Sequence, residues 1–209
     1  TYYRAILSNG SCSVRSASAT ITVNPNTSIT TQPSTLTQTL CQNATPNALS
    51  VDAVGGGLTY QWYSNTSNSN SGGTLISGAT SSSYSPPTSS TGTKYYYVIV
   101  KGSCGADQTS GQVSVLVNKA TIINVQPLDK EVCKGSSGET VELSVSADGT
   151  GLKYQWYVNN VNSNSGGTTI NAATNDSYKP SVSTVGTNYY YVKVTGDCGE
   201  VFSNPAAII

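Results

Sequence analysis

Apolar residues recur along this chain at every second position, in short runs separated by Gly-, Ser- and Asn-rich breaks. Leu49, Val51 and Ala53 alternate with polar neighbours, as do Leu58, Tyr60 and Trp62. Tyr96, Val98 and Val100 alternate with Tyr95, Tyr97 and Ile99, and Val113, Val115 and Val117 form one more such run. A period of two predicts half-buried β-strands, and no stretch holds the 3.6-residue spacing of a helix. Gly55-Gly56-Gly57, Asn70-Ser71-Gly72-Gly73 and Gly102-Ser103-Cys104-Gly105 supply turns. Pro86 and Pro87 donate no ladder hydrogen bond and mark the end of an edge segment. About seven short strands in roughly 94 residues predict a β-sandwich.

The pattern then repeats with a shift of 94 residues. Gly57-Leu58-Thr59-Tyr60-Gln61-Trp62-Tyr63 returns as Gly151-Leu152-Lys153-Tyr154-Gln155-Trp156-Tyr157. Asn68-Ser69-Asn70-Ser71-Gly72-Gly73-Thr74 returns as residues 162–168, and Tyr95-Tyr96-Tyr97-Val98 as residues 189–192. Residues 1–24 match the end of such a unit: Tyr2-Tyr3 aligns with Tyr95-Tyr96, and Gly10-Ser11-Cys12 with Gly102-Ser103-Cys104. The expected organisation is the last two strands of one repeat (1–24), a full repeat (25–118) and a second one (119–209). A fixed period marks a serial architecture whose function belongs to the array more than to one pocket.

Composition narrows the class. Ten bases balance ten acids and charge is only 10% of the chain. There is no basic footprint for nucleic acid and no polybasic membrane patch. No run is long and apolar enough to span a membrane, so no membrane insertion is expected in this segment. With no histidine, Ser-His and Cys-His catalysis are excluded within these residues. The acids of the middle repeat, Asp52 and Asp107, sit on different strands with no paired-carboxylate pattern. The chain is therefore not expected to be an enzyme. Zinc is disfavoured by the lack of His and of Cys-x-x-Cys spacing. For calcium, Asp129 and Glu131 are the nearest approach to an acidic cluster, and surface charge is the simpler reading. No cofactor or metal is expected.

Tyr60-Gln61-Trp62-Tyr63, then Ile76-Ser77-Gly78-Ala79-Thr80 with Tyr84, then Gly92-Thr93 before the tyrosines, resembles an immunoglobulin-like domain. The resemblance covers both full repeats and the N-terminal piece. More narrowly, the Thr/Ser/Asn-rich style and the cysteine placement resemble the repeats of giant Bacteroidetes cell-surface adhesins, of the SprB gliding-motility type exported by type IX secretion. The resemblance implies an all-β array of tandem sandwiches, head to tail. It also implies that the strand-B and strand-F cysteines of the Ig disulfide are replaced here by Val51 and Val98 under Trp62. In the second repeat the same places hold Val145 and Val192 under Trp156. Tyr96 and Tyr190 take the tyrosine-corner positions.

In that topology Cys41 and Cys104 fall at opposite poles of one sandwich, tens of ångströms apart at ~3.3 Å per residue. A disulfide needs Cα atoms within about 7 Å. Stacked repeats bring Cys41 of one repeat toward Cys198 of the next, so a Cys41–Cys198 bond between repeats is favoured. The intradomain pairs Cys41–Cys104 and Cys133–Cys198 are the alternative, with free thiols as a third case. Cys12, Cys104 and Cys133 then have partners elsewhere on the first reading. An inter-repeat bond closes a loop of roughly 160 residues, worth about 4–5 kcal/mol in the simple entropy model, and persists outside a reducing cytosol.

Alternation also places Tyr63, Tyr95 and Tyr97 on the outer face, with Tyr157, Tyr189 and Tyr191 repeating them. The bland reading is a cross-strand ladder that stabilises the sheet. The sharper one is a contact surface for surface polysaccharide, a substratum or a neighbouring filament, with avidity from repetition. Asn26-Thr27-Ser28, Asn43-Ala44-Thr45, Asn65-Thr66-Ser67 and Asn175-Asp176-Ser177 match N-glycosylation acceptors and read as chance in so Ser/Thr/Asn-rich a chain. The expected function is a structural and adhesive segment of an extracellular filament, adhesin or stalk on a bacterial cell surface. Its partners would be neighbouring repeats of the same chain, with lateral self-association. The second reading is an Ig-like spacer or carbohydrate-binding module beside a secreted enzyme.

Overall fold

Alternating residues become short strands throughout. The computed structural model describes residues 1–133, 141–183 and 185–209. Among these residues there is no helix, and so none long and apolar enough to cross a membrane. Two compact units are formed: residues 1–37, 48–85 and 94–114, and residues 38–47, 86–93 and 115–209.

The first unit is organised around Trp62. Its strand Thr59–Asn65 pairs antiparallel with Thr74–Leu75 on one side and with Tyr95–Lys101 of the strand Gly92–Lys101 on the other. Gln108–Thr109 pairs with Ile99 and Val100. The second layer holds Ser28–Thr31 against Asp52–Val54, and Leu49–Ser50 against Ser83–Tyr84. Trp62 is fully buried, with Val51 and Val98 at 2% and 0% exposure. Its indole N–H donates to the Ser81 carbonyl at 2.9 Å and its ring centroid lies 6.0 Å from that of Tyr84. Pro86 is also fully buried and follows the end of Ser83–Tyr84.

Residues 1–24 carry the same strand pattern without the burial. Ile6–Asn9 pairs with Cys12–Arg15 across a Gly10-Ser11 turn, and Tyr2–Tyr3 pairs with Ala19–Thr20. Tyr3 is 55% exposed, whereas Tyr96, its counterpart by alignment, is 2% exposed.

The second unit repeats the arrangement. Lys153–Asn159 lies between Thr168–Thr169 and Asn188–Gly196, which also pairs with Gly199–Phe202 and Ala206–Ile208. Ile122–Val125 pairs with Ser146–Asp148, and Leu143–Ser144 with Ser177–Tyr178. Leu143, Val145, Trp156, Tyr190, Val192 and Val194 form its core with Ala206 and Ile208.

Alternation alone did not anticipate one feature. Gln38–Cys41 runs parallel to Val115–Asn118, with Cys41 opposite Asn118. Lys130 bridges Ile208 in the same parallel sense. A parallel partner on the last strand shortens the exposed sheet edge and fixes where Cys41 ends up.

Candidate functional site

Cys41 closes its strand at a tightly bonded turn. The Ala44 amide donates to the Cys41 carbonyl, and the Asn43 amide to the Thr88 carbonyl, each at 3.0 Å. Asn43 holds a φ of 65°, a conformation Asn tolerates better than most residues. The Thr88 hydroxyl donates to the Ala44 carbonyl at 2.7 Å, and the Gln42 side-chain amide to the Ser89 carbonyl at 2.8 Å. Cys198 sits in a two-residue turn, Asp197-Cys198, between paired glycines Gly196 and Gly199. Gly199 has a φ of 101°, open to glycine and strained for other residues.

These two turns meet. Cys41 and Cys198 form a disulfide with Cα atoms 5.5 Å apart across 157 residues of sequence. The Asn118 carbonyl lies 3.8 Å from the Cys198 sulfur and accepts the Gln42 amide at 2.9 Å. The next residue is fixed as well. The Lys119 amide donates to the Thr150 hydroxyl at 2.9 Å, and its ammonium lies 2.9 Å from Asp148. Hydrogen bonds from Lys119 and then Asn124 hold the Asp148 carboxyl below its ordinary value. Both charges are nearly half exposed, so this pair orients the segment more than it stabilises it.

The alternative pairs Cys41–Cys104 and Cys133–Cys198 do not form, because each needs a sulfur already taken by the Cys41–Cys198 bond. Cys104 is half-buried in its turn, and its carbonyl accepts the Thr27 amide at 2.9 Å and the Thr27 hydroxyl at 2.8 Å. Cys12 and Cys133 are exposed.

The tyrosine stripe needs correction. Tyr97 and Tyr191, expected on the outer face, are each 3% exposed. The loop after the tryptophan strand folds back over them. The Gly73 and Gly167 amides donate to their hydroxyls at 3.1 Å. A Cβ at Gly73 would fall 2.9 Å from the Tyr97 ring, so only glycine admits this approach. Tyr63 stacks on Tyr97 with ring centroids 5.1 Å apart, and Tyr157 on Tyr191 at 5.0 Å. Tyr63, Tyr95, Tyr157 and Tyr189 are half-buried. In the second repeat Phe202 is the outward aromatic, 43% exposed, with the Lys193 ammonium 5.7 Å above its ring. It lies outside the 94-residue tyrosine pattern because its counterpart is Thr109. Tyr96 packs 5.7 Å from Tyr84, and burial, with Tyr84 beside it, pushes its phenol up to about 12. Burial, then Tyr178, also raises Tyr190.

Other polar groups are spent on the backbone. The Ser110 and Ser203 hydroxyls accept the amides of Val98 and Val192 at 3.0 Å. The Gln61 and Gln155 side chains donate to the Ile76 and Ile170 carbonyls at 2.8 Å. Asn65 and Asn159 tie the folded-back loops through the Ser71 and Ser165 carbonyls. All are duplicated residues, so duplication is the signal that would have found them. Asp129 accepts the Ala207 amide at 2.8 Å, while Glu131 is exposed. No group of three or more His, Cys, Asp or Glu suited to a metal occurs among the described residues.

No curated protein matches the chain. Among solved structures, the I-band fragment I67-I69 from titin superposes with a TM-score of 0.61 at 15% identity, over 96% of this chain and 71% of that one. Rst D1-D2 gives 0.57 at 13% identity, over 88% of this chain and all of that one. The N-terminal four Ig domains of Dscam1 isoform 4.44 give 0.55 at 12%, over 94% and 50%. At such identities the likeness concerns fold, and the fold is a tandem immunoglobulin-like β-sandwich. One family model matches twice, over residues 30–119 and 124–209, and on that ground the chain belongs to the family described as "Domain of unknown function (DUF8696)".

Proposed function

We propose that this chain is a structural and adhesive segment of a long extracellular bacterial filament, adhesin or stalk, in which a disulfide clips each repeat to the next. The observation that carries this reading is the Cys41–Cys198 bond, which joins a residue of the first family match to one of the second. A bond inside one sandwich stabilises that sandwich. A bond from one repeat to another makes a covalent path along the array. Tension entering at residue 41 reaches residue 198 through sulfur, and the intervening residues 42–197 carry none of it. The bond also favours an oxidising compartment, outside the cytosol.

Neighbouring repeats are the partners this reading requires. Contact with a polysaccharide or substratum rests on the half-buried Tyr63, Tyr95, Tyr157 and Tyr189, and on Phe202 in the second repeat. Burial of Tyr97 and Tyr191 removes the centre of the stripe. The narrower reading, an SprB-type gliding adhesin exported by type IX secretion, is supported by the Thr/Ser/Asn-rich sequence and the cysteine placement.

The test uses intact cells that make the full-length protein. We expect the chain to react with an impermeant label at the cell surface and to yield a Cys41–Cys198 peptide without reduction. Recovery of the chain from the cytosol, with both cysteines as thiols, would overturn the reading.

A further inference from the structure

The two repeats hold one turn in two different ways. In the second, Asp197-Cys198-Gly199 carries the disulfide. In the first, Ser103-Cys104-Gly105 occupies the same place and Cys104 is a thiol. The frames match closely. The Ser103 amide donates to the Gly56 carbonyl at 2.7 Å, and the Asp197 amide to the Thr150 carbonyl at 2.8 Å. The glycine after each cysteine has positive φ, 85° and 101°. Behind each turn lies a buried threonine, Thr27 or Thr121, at 5% and 6% exposure.

The threonines report the difference. The Thr27 hydroxyl and amide both donate to the Cys104 carbonyl. The Thr121 hydroxyl, in the same position, is buried and has no hydrogen-bond partner among the described residues. A buried hydroxyl without a partner is rare and calls for a cause. Beside it, Cys198 is bonded to Cys41, whereas Cys104 keeps its thiol. The first turn also has one residue more between Ser103 and Ser110 than the second has between Asp197 and Ser203.

We propose that the Cys104 turn is a second clip site, which takes as a disulfide the thiol of a cysteine at the Cys41 position of another repeat. The inference rests on the serial reading above and deepens it. Thr27 is the latch that holds the turn until the bond forms, and clipping releases it. With a glutathione disulfide as oxidant, the Cys104 thiolate displaces one glutathione thiolate and forms a mixed disulfide. The incoming cysteine thiolate then displaces the second. Two electrons pass from the protein pair to glutathione, and the two thiol protons end on two reduced glutathiones.

The test mixes the whole chain with its Cys198→Ser variant, which frees Cys41, in a buffer of oxidised and reduced glutathione. Far-UV spectra first establish that both are folded. Peptides joining Cys41 of the variant to Cys104 of its partner should exceed those joining Cys41 to Cys12 about tenfold, a preference of about 1.4 kcal/mol. Amide exchange at Thr27 should rise in the cross-linked product, and Thr27→Val should speed its formation. Equal yields at Cys104 and Cys12, or unchanged Thr27 exchange after cross-linking, would overturn the proposal. So would an absent Cys41–Cys104 product while an alkylating probe still labels both thiols. These outcomes are read on purified chain, so they stand apart from the cell-surface test of the serial reading.

Discussion

Trp62 and Trp156 have nearly the same surroundings, while Cys104 and Cys198 do not, and both contrasts come from one sequence pattern used twice. The two indoles are fully buried, donate to the backbone at 2.9 and 3.0 Å, and lie 6.0 Å from a tyrosine ring. The two cysteine turns share their hydrogen-bonded frame, yet one is latched to a threonine and the other is bonded to a distant turn. The interior of each repeat is thus fixed by its own residues. The turns differ in what the cysteine holds: Cys198 is bonded to Cys41 and Cys104 keeps its thiol.

The largest expected effect is on the sealed turn. Cys198→Ser should lower stability by up to about 5 kcal/mol in the loop-entropy model, measured by denaturant unfolding, with residues 41–198 losing their constraint. Cys104→Ser should change it little, and equal losses would break the comparison. Next come the cores. Trp62→Ala and Trp156→Ala should each cost about 3–5 kcal/mol, because each leaves a large cavity in similar surroundings. With the disulfide reduced, the two losses should agree within about 1 kcal/mol, and a larger gap would mean that the cores differ.

A finer contrast lies in the threonines. Thr27→Val removes a made hydrogen bond and should cost about 1 kcal/mol. Thr121→Val removes an unpartnered buried hydroxyl and should be neutral or stabilising. Thermal denaturation of the two variants decides this, and equal losses would contradict the latch. The smallest effect concerns Asp148. Its folded-state value is depressed by Lys119 and Asn124, so its stabilisation is present above the ordinary carboxylate value and is lost as pH falls through the folded one. Asp148→Asn should flatten the acid side of the stability curve, and added salt should have the same effect on the parent chain.

Much of this was legible from the residues alone. Alternation located the tryptophan and tyrosine strands, and Val51, Val98, Val145 and Val192 are buried. Alternation failed at Tyr97 and Tyr191 because it assigns sides of a strand and not what covers them. The cover is a loop of Asn, Ser and Gly with no apolar signal, held by side-chain amides and a glycine without a Cβ. The parallel pairing of Gln38–Cys41 was equally silent, since period two is the same for either strand direction. The unpartnered Thr121 hydroxyl is invisible in sequence, where it is identical to Thr27.

The central claim is that force passes through sulfur from residue 41 to residue 198. Single-molecule stretching of the chain by its ends tests this most directly, with and without reductant. The account predicts that reduction lengthens the fully unfolded chain by the hidden segment, a sequence separation of 157, about 500 Å at ~3.3 Å per residue. The same final length in both conditions would contradict it.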